Sequence, residues 1–237
     1  MTEYTLRAET GEFLLTGGGS RGVLSSGWTG RRIDVEAGYG AAGEWLEHCE
    51  ATHRPHPAHE ARFTTDLVAR GARNLDAPLF RGRHFSTNVT PSAEEFGPPP
   101  ASVTGIGRYN APGSPRLYLS SSITGVIGEL SPAPDGTHLW VQRFRPPQSL
   151  QLLDAGEFAE NSFAAAAFWR VESRRDREQG YARLGERIAT LVATRFDGMI
   201  VPGVRSTEGA YFNVILFTAE HLWHDLLDRT LAPQRAA

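Results

Sequence analysis

The chain contains no lysine: its 24 basic residues are all arginine, set against 27 acidic ones for a formal net charge of -3. That absence removes whole classes of chemistry. There can be no Schiff base to pyridoxal phosphate or a carbonyl substrate, no phosphate-loop or kinase-type lysine, and no Ser-Lys dyad. The single cysteine, Cys49, cannot form an internal disulfide. No run of about 20 apolar residues offers a membrane span, and the opening does not resemble a signal peptide. A soluble cytoplasmic protein with no membrane partner is therefore expected. A nearly balanced charge also argues against a nucleic-acid partner. The cluster Arg170, Arg174, Arg175 and Arg177 is broken up by Glu172, Asp176 and Glu178 and reads as a solvated helical face.

What is present, 237 residues of which 40% are hydrophobic, is enough for one large domain with an extension. Residues 1–75 differ in texture from the rest, with Gly17, Gly18, Gly19 and Gly22 early and His48, His53, His56 and His59 later. They are expected to form an N-terminal extension packed on a main domain of residues 76–237. Within the extension, residues 12–15 suggest a short strand, residues 43–49 a helical turn or two, and residues 59–73 an amphipathic helix built on Phe63, Leu67 and Val68. From Leu79 onward, strand-length apolar runs at residues 116–119, 139–144, 150–153, 199–201 and 213–217 alternate with Pro/Gly punctuation. Leu184, Ile188, Leu191 and Val192 mark a helix that Asp197-Gly198 ends, whereas Ser92 to Pro100, with its Gly-Pro-Pro-Pro run, reads as a surface loop. The pattern predicts an α+β fold, a mixed β-sheet core flanked by helices.

Three motifs invite function and fail on context. Gly17 to Gly22 fits the G-x-G-x-x-G spacing of a dinucleotide-binding turn, but residues 23–30 lack the helical period that the turn must open into. The same stretch is a G-x-S-x-G match at Ser20, and a nucleophile elbow needs the same missing helix. His48, Cys49, His53, His56 and His59 offer zinc-type donors, yet Pro55 and Pro57 break any element that would aim them. They are expected to be loop histidines, and no metal is expected.

The informative segment begins at Gly105-Ile106-Gly107-Arg108-Tyr109-Asn110 and continues into the strand Leu117-Tyr118-Leu119 and the serines Ser120, Ser121 and Ser122. Ser122 should cap a short helix over residues 123–130, with Ile123, Val126 and Ile127 buried and Pro132 forcing Ser131 out of the helical region. Glu129 then falls in the last turn, at the negative end of the helix dipole, where helix propensity does not explain a carboxylate.

Gly107-Arg108-Tyr109-Asn110, then Leu117-Tyr118-Leu119-Ser120, then a glutamate eleven residues after Tyr118, resembles the RES domain of the toxins in Xre/RES toxin–antitoxin pairs. Leu152-Leu153-Asp154, Phe196 to Pro202 and Asn213 to Phe217 follow in the same order, so that the likeness runs from about residue 79 to about residue 218. The resemblance implies an ADP-ribosyltransferase-like fold, NAD as substrate, and cleavage of the nicotinamide–ribose bond by hydrolysis or phosphorolysis. It makes Glu129, Arg108 and Tyr118 the catalytic candidates. Arg81, Tyr109, Asn110, Ser120, Ser121 and Ser206 become substrate-binding candidates, Arg81 because Leu79 to Arg83 resembles the family's opening arginine strand. The family's serine falls on Gly203, a departure that only Ser206, on a loop bending back, would make good. An Xre-type antitoxin is the implied partner, and a homodimer stays open. ADP-ribosyl transfer and a non-catalytic NAD-binding module stay open as alternatives.

The residue types suit that chemistry. A guanidinium binds two pyrophosphate oxygens at once. A tyrosine ring holds the cationic nicotinamide. A carboxylate stabilises the oxocarbenium-like ribosyl centre left behind, as in glycoside hydrolysis.

Overall fold

The computed structural model describes residues 3–7, 12–16, 38–145, 149–159, 162–173, 183–203, 211–217 and 219–236. Ser20, Arg174, Arg175, Arg177 and Ser206 lie outside them. The first strands, β1 (Glu3–Arg7) and β2 (Glu12–Thr16), pair antiparallel as a separate two-stranded sheet. Two helices follow, α1 (Gly38–Thr52) and α2 (Pro57–Val68). Then come β3 (Leu79–Ser86), β4 (Leu117–Ser120), α3 (Ile123–Leu130), β5 (Thr137–Phe144) and β6 (Leu152–Asp154). The chain continues through α4 (Phe163–Ser173), α5 (Arg183–Val192), β7 (Gly198–Pro202), β8 (Phe212–Leu216), α6 (Ala219–Leu226) and β9 (Gln234–Arg235).

Seven strands form one sheet in the order β6-β7-β8-β4-β3-β5-β9, with β6 and β7 parallel and the other neighbours antiparallel. The fold is α+β around a mixed sheet. Every residue of β7 and β8 is buried, which is why both read as unbroken apolar runs rather than alternating ones. Their side chains still divide by parity. Met199, Val201 and Ile215 join Trp45, Phe63, Phe168, Leu184 and Ile188 under α1, α2, α4 and α5, while Ile200, Val214 and Leu216 join Leu117, Phe144 and Trp223 in a second core.

The helices of the expected extension thus share the main core: Trp45, Phe63 and Leu67 are fully buried, and the Trp45 ring stacks on Phe163 of α4 at 5.6 Å between centroids. α1 is far longer than the turn or two the sequence suggested. α4 was not anticipated, because Phe163 to Phe168 are all buried and an all-round apolar helix has no amphipathic period. Two of the histidines are not loop residues, since His48 lies in α1 and His59 in α2, whereas His53 and His56 fall in the connection between them. His56 accepts from the His59 N–H at 3.3 Å as the N-cap of α2, and the His59 ring stacks between His56 and Phe163. Nor is the proline stretch only surface, since Phe96 and Gly97 ahead of it are buried and Gly97 packs on Trp223.

One irregularity places the site. β3 pairs with β5 along its whole length, but with β4 only at Phe80–Ser120. Beyond that pair the two strands part, and the opening between them is the floor of a cavity.

Candidate functional site

The cavity has a volume of about 330 Å³, at the small end of the roughly 300–1,000 Å³ usual for ligand pockets. Arg81 and Tyr118 line it from the two parted strands, Glu129 from α3, Asn213 from β8, and Arg108 from the loop ahead of β4.

α3 forms as its local signals dictate. The Ser122 hydroxyl accepts from the Gly125 N–H at 2.9 Å, and Ser131 is extended, with φ -84° and ψ 150°, ahead of Pro132. Its buried face differs from the expected one: Gly125 and Val126 are buried, but Ile123 is 42% exposed. The helix is turned so that Gly125 and Glu129, one turn apart, face the sheet. There Glu129 Oε1 accepts from the Tyr211 hydroxyl at 2.8 Å and from Asn213 Nδ2 at 3.0 Å. Each such bond to a charged acceptor contributes about 1.5–3 kcal/mol, against a dipole cost of about 0.3–1 kcal/mol. The two bonds therefore account for a glutamate at a helix C-terminus.

Arg81 reaches the cavity with few partners. Its Nη1 donates to the Tyr118 carbonyl at 3.1 Å, and its Nε is buried without a hydrogen-bond partner. Burial, reinforced by the neighbouring Arg83, pushes its pKa down to about 9, so it stays cationic at neutral pH. A buried guanidinium with unspent donors is a ready site for an anion.

Gly107 to Asn110 form a tight turn, closed by the Gly107 N–H donating to the Asn110 carbonyl at 3.0 Å. A Cβ at Gly107 would overlap the Asn110 side chain, which is why glycine opens the turn. The turn sends its two tip residues in different directions. Arg108 lines the cavity, whereas Tyr109 is fully buried, with its ring 6.3 Å from that of Phe168. Tyr109, expected at the site, does not line the cavity: its ring belongs to the core, and its N–H donates to the Tyr118 hydroxyl at 3.0 Å. That hydroxyl in turn donates to Asn110 Oδ1 at 3.0 Å, while Asn110 Nδ2 donates to the Gly105 and Ala111 carbonyls. Asn110 is therefore a brace for the Tyr118 ring, which it holds at the cavity wall.

Of the serines, Ser120 lines the cavity with a buried hydroxyl that has no hydrogen-bond partner. Ser121 is fully buried and accepts from the Phe212 N–H at 2.9 Å, so it anchors β8 and does not reach the cavity. Tyr211 and Asn213 were missed by the sequence reasoning. Asn213, a polar residue within an otherwise apolar strand, was the only signal available for either. Among the described residues no group of three or more His, Cys, Asp or Glu side chains could hold a metal ion, and no helix is long and apolar enough to cross a membrane.

Against this geometry, the family model of the RES domain matches residues 78–229. That is well over half of the chain, and the protein belongs to the RES domain family. Its mixed sheet and flanking helices are the ADP-ribosyltransferase-like fold of that family. Membership carries a toxin–antitoxin-type function related to NAD at the level of the family. A comparison with curated proteins gave no match.

Proposed function

We propose that this protein is a cytoplasmic toxin enzyme that cleaves the bond between nicotinamide and ribose in NAD. One observation carries the reading: a single cavity is lined by an under-partnered guanidinium (Arg81), a braced tyrosine ring (Tyr118) and a carboxylate held by two hydrogen bonds (Glu129). Arg81 and Arg108, both in the lining, bind pyrophosphate oxygens. The Tyr118 ring stacks on the cationic nicotinamide, and the buried Ser120 hydroxyl is available to a ribose or amide group. When the C1′–N1 bond breaks, its electron pair leaves with nicotinamide and the positive charge falls on the ribosyl carbon, which the Glu129 carboxylate stabilises. An oxygen of water or of inorganic phosphate then bonds to C1′, giving ADP-ribose and a released proton, or ADP-ribose 1-phosphate.

In this reading residues 1–75 are an N-terminal extension of a catalytic domain spanning 76–237, supported by the core that Trp45, Phe63 and Leu67 share with α4 and α5. An Xre-type antitoxin is the partner it implies.

Purified protein incubated with NAD, with and without phosphate, tests the chemistry. Nicotinamide release that falls at least about a hundredfold in Glu129→Gln is expected, and the second product separates hydrolysis from phosphorolysis. Label from NAD appearing on a macromolecule would instead support ADP-ribosyl transfer, which the fold also suits. NAD binding without turnover would make the chain a binding module.

A further inference from the structure

Tyr211 lies outside the cavity lining, yet its hydroxyl reaches across 82 positions of sequence to Glu129 Oε1. The route is built. The Gly203 N–H donates to the Tyr211 carbonyl at 2.9 Å, adding one residue to the β7–β8 ladder beyond the Pro202–Phe212 pair. Tyr211 and Asn213 are two residues apart on that extended segment, so both side chains leave the same face and meet the same carboxylate oxygen. The ring lies between two glycines: a Cβ at Gly125 or at Gly203 would overlap its atoms. Gly125 sits inside α3, where glycine is less favourable than alanine, and it stands one turn before Glu129 on the same helical face. A helix that needed only to cover the sheet would gain from alanine there. The glycine makes sense as the space through which a tyrosine passes to the next residue along that face.

We infer that Tyr211, held in a slot between Gly125 and Gly203, is a positioning residue that fixes the Glu129 carboxylate for the reaction. It acts through Glu129 and touches no substrate, and the inference rests on Glu129 having the role given to it above. With Asn213 it holds one carboxylate oxygen by two donors, so the side chain cannot swing out of the cavity without breaking both bonds.

NAD cleavage is measured at steady state for the full-length wild type, Tyr211→Phe, Glu129→Gln and the double variant. Phenylalanine keeps the ring in its slot and removes only the hydroxyl. Expected are a tenfold to roughly hundredfold fall in kcat with KM within about threefold, and a double variant no slower than Glu129→Gln alone. The same four proteins are unfolded in urea, where the two midpoint shifts should fail to add. Wild-type kcat in Tyr211→Phe beside a crippled Glu129→Gln overturns the positioning role and leaves Glu129 standing. Wild-type turnover in Glu129→Gln overturns both. Additive urea shifts overturn the inference even if the wild type does not turn over NAD. Gly203→Ala, which displaces the ring but keeps its hydroxyl, provides the second variant: it should lose kcat as Tyr211→Phe does, and an unchanged kcat would show that the slot has no part.

Discussion

Arg81 and Tyr118 face each other where β3 and β4 part, and Arg81 Nη1 donates to the Tyr118 carbonyl at 3.1 Å. A side chain thus bridges two strands beyond their single backbone pair. The guanidinium is fixed at the cavity floor, but most of its hydrogen-bonding capacity is left for a ligand.

Arg81→Met is expected to raise KM for NAD at least about tenfold, since a hydrogen bond to a charged group contributes about 1.5–3 kcal/mol. Stability should be unchanged or higher. The folded state holds this proton less tightly than the unfolded chain, its pKa lowered to about 9, so at neutral pH the buried charge opposes folding. That penalty is relieved only as pH rises above about 9, where the folded form begins to lose the proton before the unfolded chain does. Thermal denaturation at pH 7 checks it: a melting temperature several degrees lower would mean that Arg81 is chiefly a strut between the strands.

Gly185 and Gly40 should respond to alanine with opposite signs. A Cβ at Gly185, in α5, would overlap the backbone carbonyl of Arg108, and a backbone atom cannot step aside as a flexible side chain can. Gly185→Ala is expected to cost more than about 1 kcal/mol and to lower activity by displacing the turn that carries Arg108. Gly40, in α1, has nothing within 4 Å of the added atom. Gly40→Ala should stabilise by about 0.5–1 kcal/mol. Urea midpoints of the two variants decide the matter.

Phe63→Ala is expected to cost about 3–5 kcal/mol. Its ring is fully buried against Trp45, Phe158 and Phe168, two of which lie outside the first 75 residues. A chain starting at residue 76 should for the same reason lose cooperative unfolding. If it unfolded with a wild-type urea midpoint, the N-terminal helices would be an accessory and not part of the core.

Acidification should destabilise the junction of α1 and α2. Burial, together with the His56 ring stacked at 3.9 Å, holds the His59 pKa below 6.5, against the opposing pull of Glu44 at 3.8 Å; Arg62 and His48 push it the same way as burial. With its folded pKa depressed, the unfolded chain takes the proton first, so stability is lost as pH falls below 6.5 until the folded form also protonates. Melting temperatures between pH 7.5 and 5 should fall less steeply in His59→Gln than in wild type. Parallel curves would place the acid sensitivity elsewhere.

Much of the fold was legible because its signals are local. The helix over residues 123–130 was bounded correctly from a serine cap and a downstream proline, and β7 and β8 were located to within a residue at each end from their apolar runs. The strand β3 was anticipated only through the likeness of Leu79 to Arg83 to a family strand, because its Gly82 and two arginines give it no clean alternation. Gly82 is explained by packing: a Cβ there would overlap Val126 of α3.

At the site, the likeness of short motifs to the RES domain singled out Arg81, Arg108, Tyr118, Ser120 and Glu129, all of which line one cavity. It could not separate Tyr109 from Arg108, because a two-residue turn sends adjacent side chains into different surroundings, and a string of letters does not carry the turn's orientation. Tyr211 and Asn213 were invisible for a related reason: they meet Glu129 from 82 and 84 positions away, through strand pairing that no local pattern encodes. Caps, breakers and apolar runs act between near neighbours and can be read from the chain directly. The parting of β3 from β4, the glycine slot and the carboxylate's two donors exist only once distant segments pack, since each is a contact between surfaces that folding itself creates.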